Sequence, residues 1–130
     1  MKFLLDANAV VGLLGGNAGL LAGVRRQSPR DIGIPAVAAH ELFYGAYKSR
    51  RQAHNLALLD GLQLEVLEFD KEDARLAGKI RAALAALGTP IGPYDVLIAG
   101  QARARDLVLV THNVGEFSRV RGLRVKDWQT

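Results

Sequence analysis

The stretch GPYDVLIAGQARARDLVLVTHN, residues 92–113, predicts a helix that leads into a buried strand. Gly92 and Pro93 are typical of a helix start, and the apolar run after Asp106 is typical of a strand packed on both faces. Asp95 is the exception, because Ile91 lies one helical turn before it and Ile98 one turn after it. An unpaired charge on an apolar face is costly, so Asp95 requires a partner.

The remainder of the chain alternates strands and helices. Strands are predicted in KFLLD (2–6), DIGIP (31–35), LEVLEF (64–69) and, as a short edge strand, LRVKDW (123–128). Helices are predicted in NAVVGLLGG (8–16), from Pro35 through AVAAHELFYGAYKS (36–49), and from Asp70 to Gly88. This order predicts one α/β domain over residues 1–130, a three-layer sandwich with a mainly parallel central sheet. In such folds, sites form at the carboxyl ends of the strands.

Charge and composition narrow the classes of partner. The 130 residues carry a net charge of +4 and contain no cysteine, which excludes disulfides, thiolate zinc sites and thiol nucleophiles. The basic balance favours a polyanionic partner. Because Asp6 and Asn8 interrupt the apolar N-terminal stretch, we expect a mature, soluble, cytoplasmic chain. The cations occur in groups: Arg25, Arg26 and Arg30; Lys48, Arg50 and Arg51; Arg103 and Arg105; Arg119, Arg121, Arg124 and Lys126.

Four acids have unusual surroundings, and we call them the acidic cluster: Asp6, Glu41, Asp95 and Glu116. Three of them have a local structural explanation. Asp6 would cap the first helix, Asp95 would face a helix dipole, and Glu116 would form a capping box with Asn113. Glu41, in the middle of a helix, would need an ion pair with His40, Lys48 or an arginine. The remaining acids suggest exposed or capping positions, among them Asp60, Glu65, Glu68, Asp70, Glu72, Asp73, Asp106 and Asp127.

One cause would explain the whole acidic cluster. Carboxylates from the ends of several elements could converge on a hard divalent cation, which takes oxygen ligands. Mg²⁺ or Mn²⁺ suits an all-oxygen set, whereas zinc suits it poorly. Beside a basic surface, such a site suits phosphodiester hydrolysis. The glycines at 15–19 lack a phosphate-loop lysine, and the three histidines lack zinc-ligand spacing.

The sequence resembles PIN-domain proteins of the VapC type, the toxin half of a toxin–antitoxin pair. The matching segments cover nearly the whole chain: FLLDANAVVGLL (3–14), PAVAAHELFYGAYKS (35–49), GTPIGPYDVLIAGQA (88–102) and LVTHNVGEFSRVRGLRVKDW (109–128). The resemblance implies a PIN-like parallel-sheet fold and an endoribonuclease that depends on Mg²⁺ or Mn²⁺. It also implies a cognate VapB-type antitoxin and a homodimer.

The resemblance also assigns residue roles. Asp6, Glu41 and Asp95 match the three core acids, and Glu116 matches the usual fourth. Asp6 and Asp95 would hold the metal, and Asn113 would contribute a polar group to the site. A water would attack the phosphorus. Ala7 departs from the threonine or serine common at this position, which removes a hydroxyl near the metal.

Three functional alternatives remain at the level of the sequence. The chain could be an endoribonuclease toxin, a catalytically weak RNA-binding or antitoxin-dependent regulatory module, or a housekeeping nuclease without an antitoxin. An RNA substrate would offer unpaired bases, as loops of tRNA or rRNA do. Leu42, Phe43 and Tyr47 could form a groove for a partner helix, or could belong to the core.

Overall fold

The sheet that organises the molecule has five parallel strands. The structure is a computed structural model that describes residues 1–129. Its strands are β1 (Phe3–Leu5), β2 (Ile32–Pro35), β3 (Glu65–Leu67), β4 (Val108–Val110) and β5 (Val125–Lys126). They lie in the order β3-β2-β1-β4-β5, and every pairing is parallel. The predicted α/β class, the parallel sheet and the short edge strand at the end are confirmed.

Helices connect the strands and cover the sheet. They are α1 (Ala7–Leu14), α2 (Ala18–Arg25), α3 (Ala36–Lys48), α4 (Gln52–Asp60), α5 (Lys71–Ala86), α6 (Pro93–Ala104) and α7 (Val114–Phe117). From β1 to β3 the chain moves toward one edge of the sheet, and from β3 to β5 it moves toward the other. Because parallel crossovers are right-handed, α1–α4 cover one face and α5–α7 the opposite face.

The strand order reverses between β1, the central strand, and its neighbour β4. Leu4 pairs with Leu109 and Leu5 with Val110, so both strands end at the same edge. Crevices at such a reversal are where open α/β sheets place their ligands. Asp6 and Thr111 are the first residues beyond these two strand ends.

The start of α5 contains a buried acid that the sequence did not predict. Asp70 caps α5 as predicted and forms a capping box with Asp73, which is only 1% exposed. Burial opposes its charge, yet paired hydrogen bonds from the Arg105 guanidinium hold the pKa of Asp73 below its ordinary value. The Gln101 amide also donates to Asp73 and to the Glu68 carbonyl. This network fixes the start of α5 against the end of α6.

Close approach of α5 and α6 depends on a glycine. A Cβ at Gly100 would lie 2.6 Å from the backbone of Ala77, closer than real Cβ atoms come. The two helices therefore pack backbone to backbone at this point. Since α6 begins with the segment that carries Asp95, this packing also sets the position of that carboxylate.

One predicted boundary is wrong. Pro35 was expected to begin a helix, but it is the last residue of β2, and α3 begins at Ala36. Its fixed φ suits the extended end of a strand as well as a first helical turn. Among residues 1–129 no single helix is both long and apolar enough to cross a membrane, although α1 and α2, bent by 100° at their junction, would reach that length and composition together.

Candidate active site

Asp6 is fixed at the end of β1 by two donors. Its Oδ1 accepts from the backbone N–H of Ala9 at 2.9 Å, which caps α1 as predicted. Its Oδ2 accepts from the Thr111 hydroxyl at 2.5 Å, across the junction of β1 and β4. Burial raises the pKa of the Asp6 carboxyl, although both hydrogen bonds oppose the shift. Asp6 is therefore at once a helix cap and a member of the acidic cluster.

Asp95 lies in the first turn of α6, as predicted, and Gly92 makes room for it. A Cβ at Gly92 would lie 3.0 Å from Asp95 Oδ2 and 3.5 Å from Glu116 Oε1. Any larger residue at 92 would push against the carboxylates. Gly92 therefore belongs to the site, a role that the sequence indicated only as a helix start.

Glu116 is held by partners from two segments. Its Oε1 accepts from the Gly92 backbone N–H at 2.6 Å, and its Oε2 accepts from the Asn113 side-chain amide. The Gly92 N–H is the main reason that the pKa of Glu116 lies below its ordinary value. The predicted capping box is wrong, because Asn113 makes no side-chain bond to the α7 backbone. Asn113 instead orients the Glu116 carboxylate.

Glu41 lies on α3, partly buried, and faces the same cleft. Among residues 1–129 it forms no ion pair, so the expected pairing with His40, Lys48 or an arginine is absent. Burial raises the pKa of Glu41, and the charge of Asp6 raises it further. The adjacent His40 ring instead packs edge-on against Tyr94, with centroids 5.1 Å apart.

The electrostatics show that the acidic cluster converges. Burial raises the pKa of Asp95 to about 7, together with the charge and side-chain hydrogen bond of Glu116 and then the charges of Glu41 and Asp6. The charges of three other carboxylates therefore act on Asp95, which means that all four acids lie near one another. Perturbed pairs of this kind are typical of active sites.

The donor set fits a hard cation in its chemistry, but it is not a finished cage. Within residues 1–129, no three acidic or histidine side chains are gathered tightly enough to enclose an ion. Every donor in the cluster is a carboxylate oxygen, which Mg²⁺ and Mn²⁺ prefer, and Mg²⁺ commonly binds through one or two carboxylates while keeping several waters. An ion held by Asp6 and Asp95 would also offset the repulsion that raises the pKa of Asp95.

Thr111, His112 and Asn113 follow β4 directly, and each has a different task. The Thr111 hydroxyl donates to Asp6 and accepts from the Asn113 backbone N–H. The His112 Nδ1 lies 2.9 Å from an Asp127 carboxylate oxygen and joins the ends of β4 and β5. His112 thus has a structural role in this part of the fold.

An apolar groove opens beside the acidic cluster, between α1, α3 and α4. Its volume is about 490 Å³, and its lining includes Val11, Leu42, Leu58 and Glu41. Leu42 lines it as expected, but Phe43 and Tyr47 do not. Both of those aromatic residues are exposed on α3, so the alternative that they belong to the core is wrong. That they contact a partner helix stays a prediction.

Comparison with known proteins gives one family. Residues 3–123 match the PIN domain. The chain is 41% identical, over 98% of both chains, to a Salmonella typhimurium protein named tRNA(fMet)-specific endonuclease VapC. It is 32% identical, again over 98% of both, to Ribonuclease VapC2 of Haemophilus influenzae.

Solved structures agree in fold. The chain aligns with a TM-score of 0.93 and 41% identity, over 98% of both chains, to the crystal structure of DNA-bound VapBC from Salmonella typhimurium. It aligns equally well, at 30% identity over 98% of this chain and 99% of the other, to VapBC2 from Rickettsia felis bound to a promoter DNA fragment.

Proposed function

Because this chain belongs to the PIN domain family, we propose that it is the toxin of a toxin–antitoxin pair and that it hydrolyses RNA with Mg²⁺ or Mn²⁺. The observation that carries the proposal is the convergence of the acidic cluster on Asp95, whose pKa is raised to about 7 by burial first and then by the charges of Glu116, Glu41 and Asp6. A divalent cation, when bound, activates a water and neutralises charge on the phosphate under attack. Its place of action would be the cytoplasm.

The residues of the site would divide the work. Asp6 and Asp95 would hold the cation, and the Thr111 hydroxyl keeps Asp6 in position. Glu116 is held by Gly92 and Asn113 in its ionised form, which suits a group that orients a water by accepting its hydrogen bond. Glu41 would complete the negative side of the cleft.

The names of the relatives suggest a substrate and a partner to test. The Salmonella typhimurium relative is named for initiator tRNA, so a tRNA with an unpaired loop is the first substrate to test. The solved VapBC complexes suggest a VapB-type antitoxin as the partner. An amphipathic helix of that antitoxin could bind in the apolar groove beside Glu41. A homodimer remains the expected assembly.

The decisive experiment is cleavage of tRNA(fMet) by the purified chain, with Mg²⁺ or Mn²⁺ and with chelator. We expect cleavage that requires the cation, leaves 5′-phosphate and 3′-hydroxyl ends, and disappears in Asp95→Asn. Asp60→Asn is the matched control, because Asp60 is an exposed acid on α4 outside the cluster. Added antitoxin should suppress the cleavage.

Three outcomes would contradict the proposal. Cleavage that persists in chelator would show that the reaction does not require a divalent cation. Cyclic phosphate ends would show attack by the RNA 2′-hydroxyl instead of water. RNA binding without any cleavage, unchanged by Asp95→Asn, would favour the weak binding module instead.

A further inference from the structure

A second basic feature lies away from the acidic cluster, in a cavity between α5, α6 and the turn before β5. The cavity has a volume of about 400 Å³, and its polar rim consists of Lys79, Arg103 and Arg121. Leu84, Val120 and Gly122 contribute apolar and backbone surface to the lining. We call this feature the basic cavity. At about 30 Å³ per water, its volume exceeds that of a dozen waters.

The three cations of the basic cavity have no acidic partner. Among residues 1–129, no carboxylate lies within ion-pair distance of Lys79, Arg103 or Arg121. Neighbouring arginines differ in this respect, because Arg105 pairs with Asp73 and Arg124 pairs with Asp106. Three like charges around one concavity give it a positive potential, which an anionic ligand would neutralise.

Arg103 is held in place although it is unpaired. It is partly buried, and a Cβ on Gly122 would lie 3.4 Å from its guanidinium. Gly122 has a φ of +81°, which favours glycine, and the absence of a side chain there leaves room for the arginine beside the turn. A guanidinium that packing already orders loses little entropy when it binds a phosphate oxygen.

The basic cavity and the acidic cluster share two elements, α6 and the segment after β4. The Arg119 guanidinium donates to the Pro90 carbonyl, between Glu116 and the cavity residues Val120 and Arg121. Along α6, Asp95 and Arg103 are eight residues apart, which is about 12 Å at the helical rise. A polynucleotide whose scissile phosphate occupies the cleft could therefore reach the cavity with phosphates a few nucleotides away.

We propose that the basic cavity is a phosphate subsite that binds the RNA backbone away from the cut. The inference rests on the proposed function, since RNA is the polyanion for which the acidic cluster is suited. The subsite adds affinity that depends on charge and not on base identity, because phosphate contacts position a nucleic acid without reading its sequence.

The test measures how salt weakens RNA binding. The probe is a 12-nucleotide oligouridine, and Asp95→Asn is present in every protein so that the RNA stays intact. We expect the triple variant Lys79→Gln, Arg103→Gln, Arg121→Gln to reduce the slope of log K against log salt by about 2, at roughly 0.7 for each single-strand phosphate contact. The matched control is Arg25→Gln, Arg26→Gln, Arg30→Gln, which removes the same charge from the segment between β1 and β2.

A double variant keeps the test valid if the partly buried Arg103 is needed for folding. Lys79→Gln with Arg121→Gln changes only exposed side chains and should reduce the slope by about 1.4. Equal slopes for the cavity variants and the control, in a chain whose wild type still cleaves tRNA, would overturn the subsite alone. If the wild-type protein neither bound nor cleaved RNA, the proposed function would be overturned as well. Tighter binding of a 12-residue polyglutamate than of the RNA would assign the cavity to an acidic protein segment instead.

Discussion

Replacement of Asp95 by asparagine should stabilise the metal-free protein at alkaline pH. The pKa of Asp95 rises from 3.8 to about 7 on folding, so the ionised carboxylate is less favourable in the native state than in the unfolded chain. A shift of about three units corresponds to about 4 kcal/mol. Because Asp95 and Glu116 are only partly buried, solvent screening reduces this to about 2 kcal/mol. Asparagine has nearly the same shape and carries no charge.

The sign of the effect depends on pH. A raised native pKa contributes stability below the unfolded pKa of 3.8, and that contribution is lost as the pH rises through about 7. Thermal unfolding in chelator should therefore show Asp95→Asn melting about 7 °C above wild type at pH 8, and close to wild type at pH 4. Asp60→Asn should change little at either pH.

When a cation is added, Asp95→Asn should become less stable than the wild type. Mg²⁺ at a hundred times its dissociation constant would stabilise the wild type by about 2.7 kcal/mol. Asp95→Asn, which lacks one of the proposed ligands, should gain much less. A melting temperature of Asp95→Asn below that of wild type in chelator at pH 8, or an equal advantage of the variant at pH 4, would contradict a raised pKa of Asp95.

Two further variants test the supports of the site. Gly92→Ala places a methyl group 3.0 Å from Asp95 Oδ2, so tRNA cleavage should fall at least about tenfold while the melting temperature changes by only a few degrees; unchanged cleavage would remove Gly92 from the site. Arg105→Ala leaves Asp73 buried without its ion pair, which should cost about 3–5 kcal/mol in urea unfolding at pH 7. Because the native pKa of Asp73 is lowered, that loss should shrink as the pH falls below 3.8, and a loss independent of pH would contradict the ion-pair explanation.

The strands and the strand-end acids were predictable because they depend on local patterns. Short apolar runs bounded by charged or turn residues located each of the five strands, and the end of a strand placed Asp6 at the edge where sites form. Asp70, followed by Asp73, located the start of α5 by its capping spacing. Helices α2 and α4 were not predicted. In α4 no residue is fully buried, so the sequence shows no apolar face there. The N-terminal Arg51 makes no side-chain cap, so the sequence has no start signal for this helix either.

The supports of the acidic cluster were not predictable because they join distant segments. The Gly92 N–H that holds Glu116 is 24 residues away from it, and the Thr111 hydroxyl that holds Asp6 is 105 residues away. Asp73 was misjudged for the same reason, since its capping role is local but its burial depends on Arg105 and Gln101 from α6. Spacing along a sequence identifies a carboxylate, but only the fold identifies its donors.

The parallel sheet interlocks the two halves of the chain. The exposed turn around Gly61, between α4 and β3, leaves Asp6 and Glu41 on one side of a break and Asp95 and Glu116 on the other. Neither fragment would carry a complete site. In the sheet, β1 and β2 of the first fragment lie between β4 and β3 of the second, so each fragment alone exposes strand edges that the other covers. A gene divided at this turn would yield two polypeptides, each with two of the four carboxylates. Only their association would restore the site, so the fold suits the design of a split toxin.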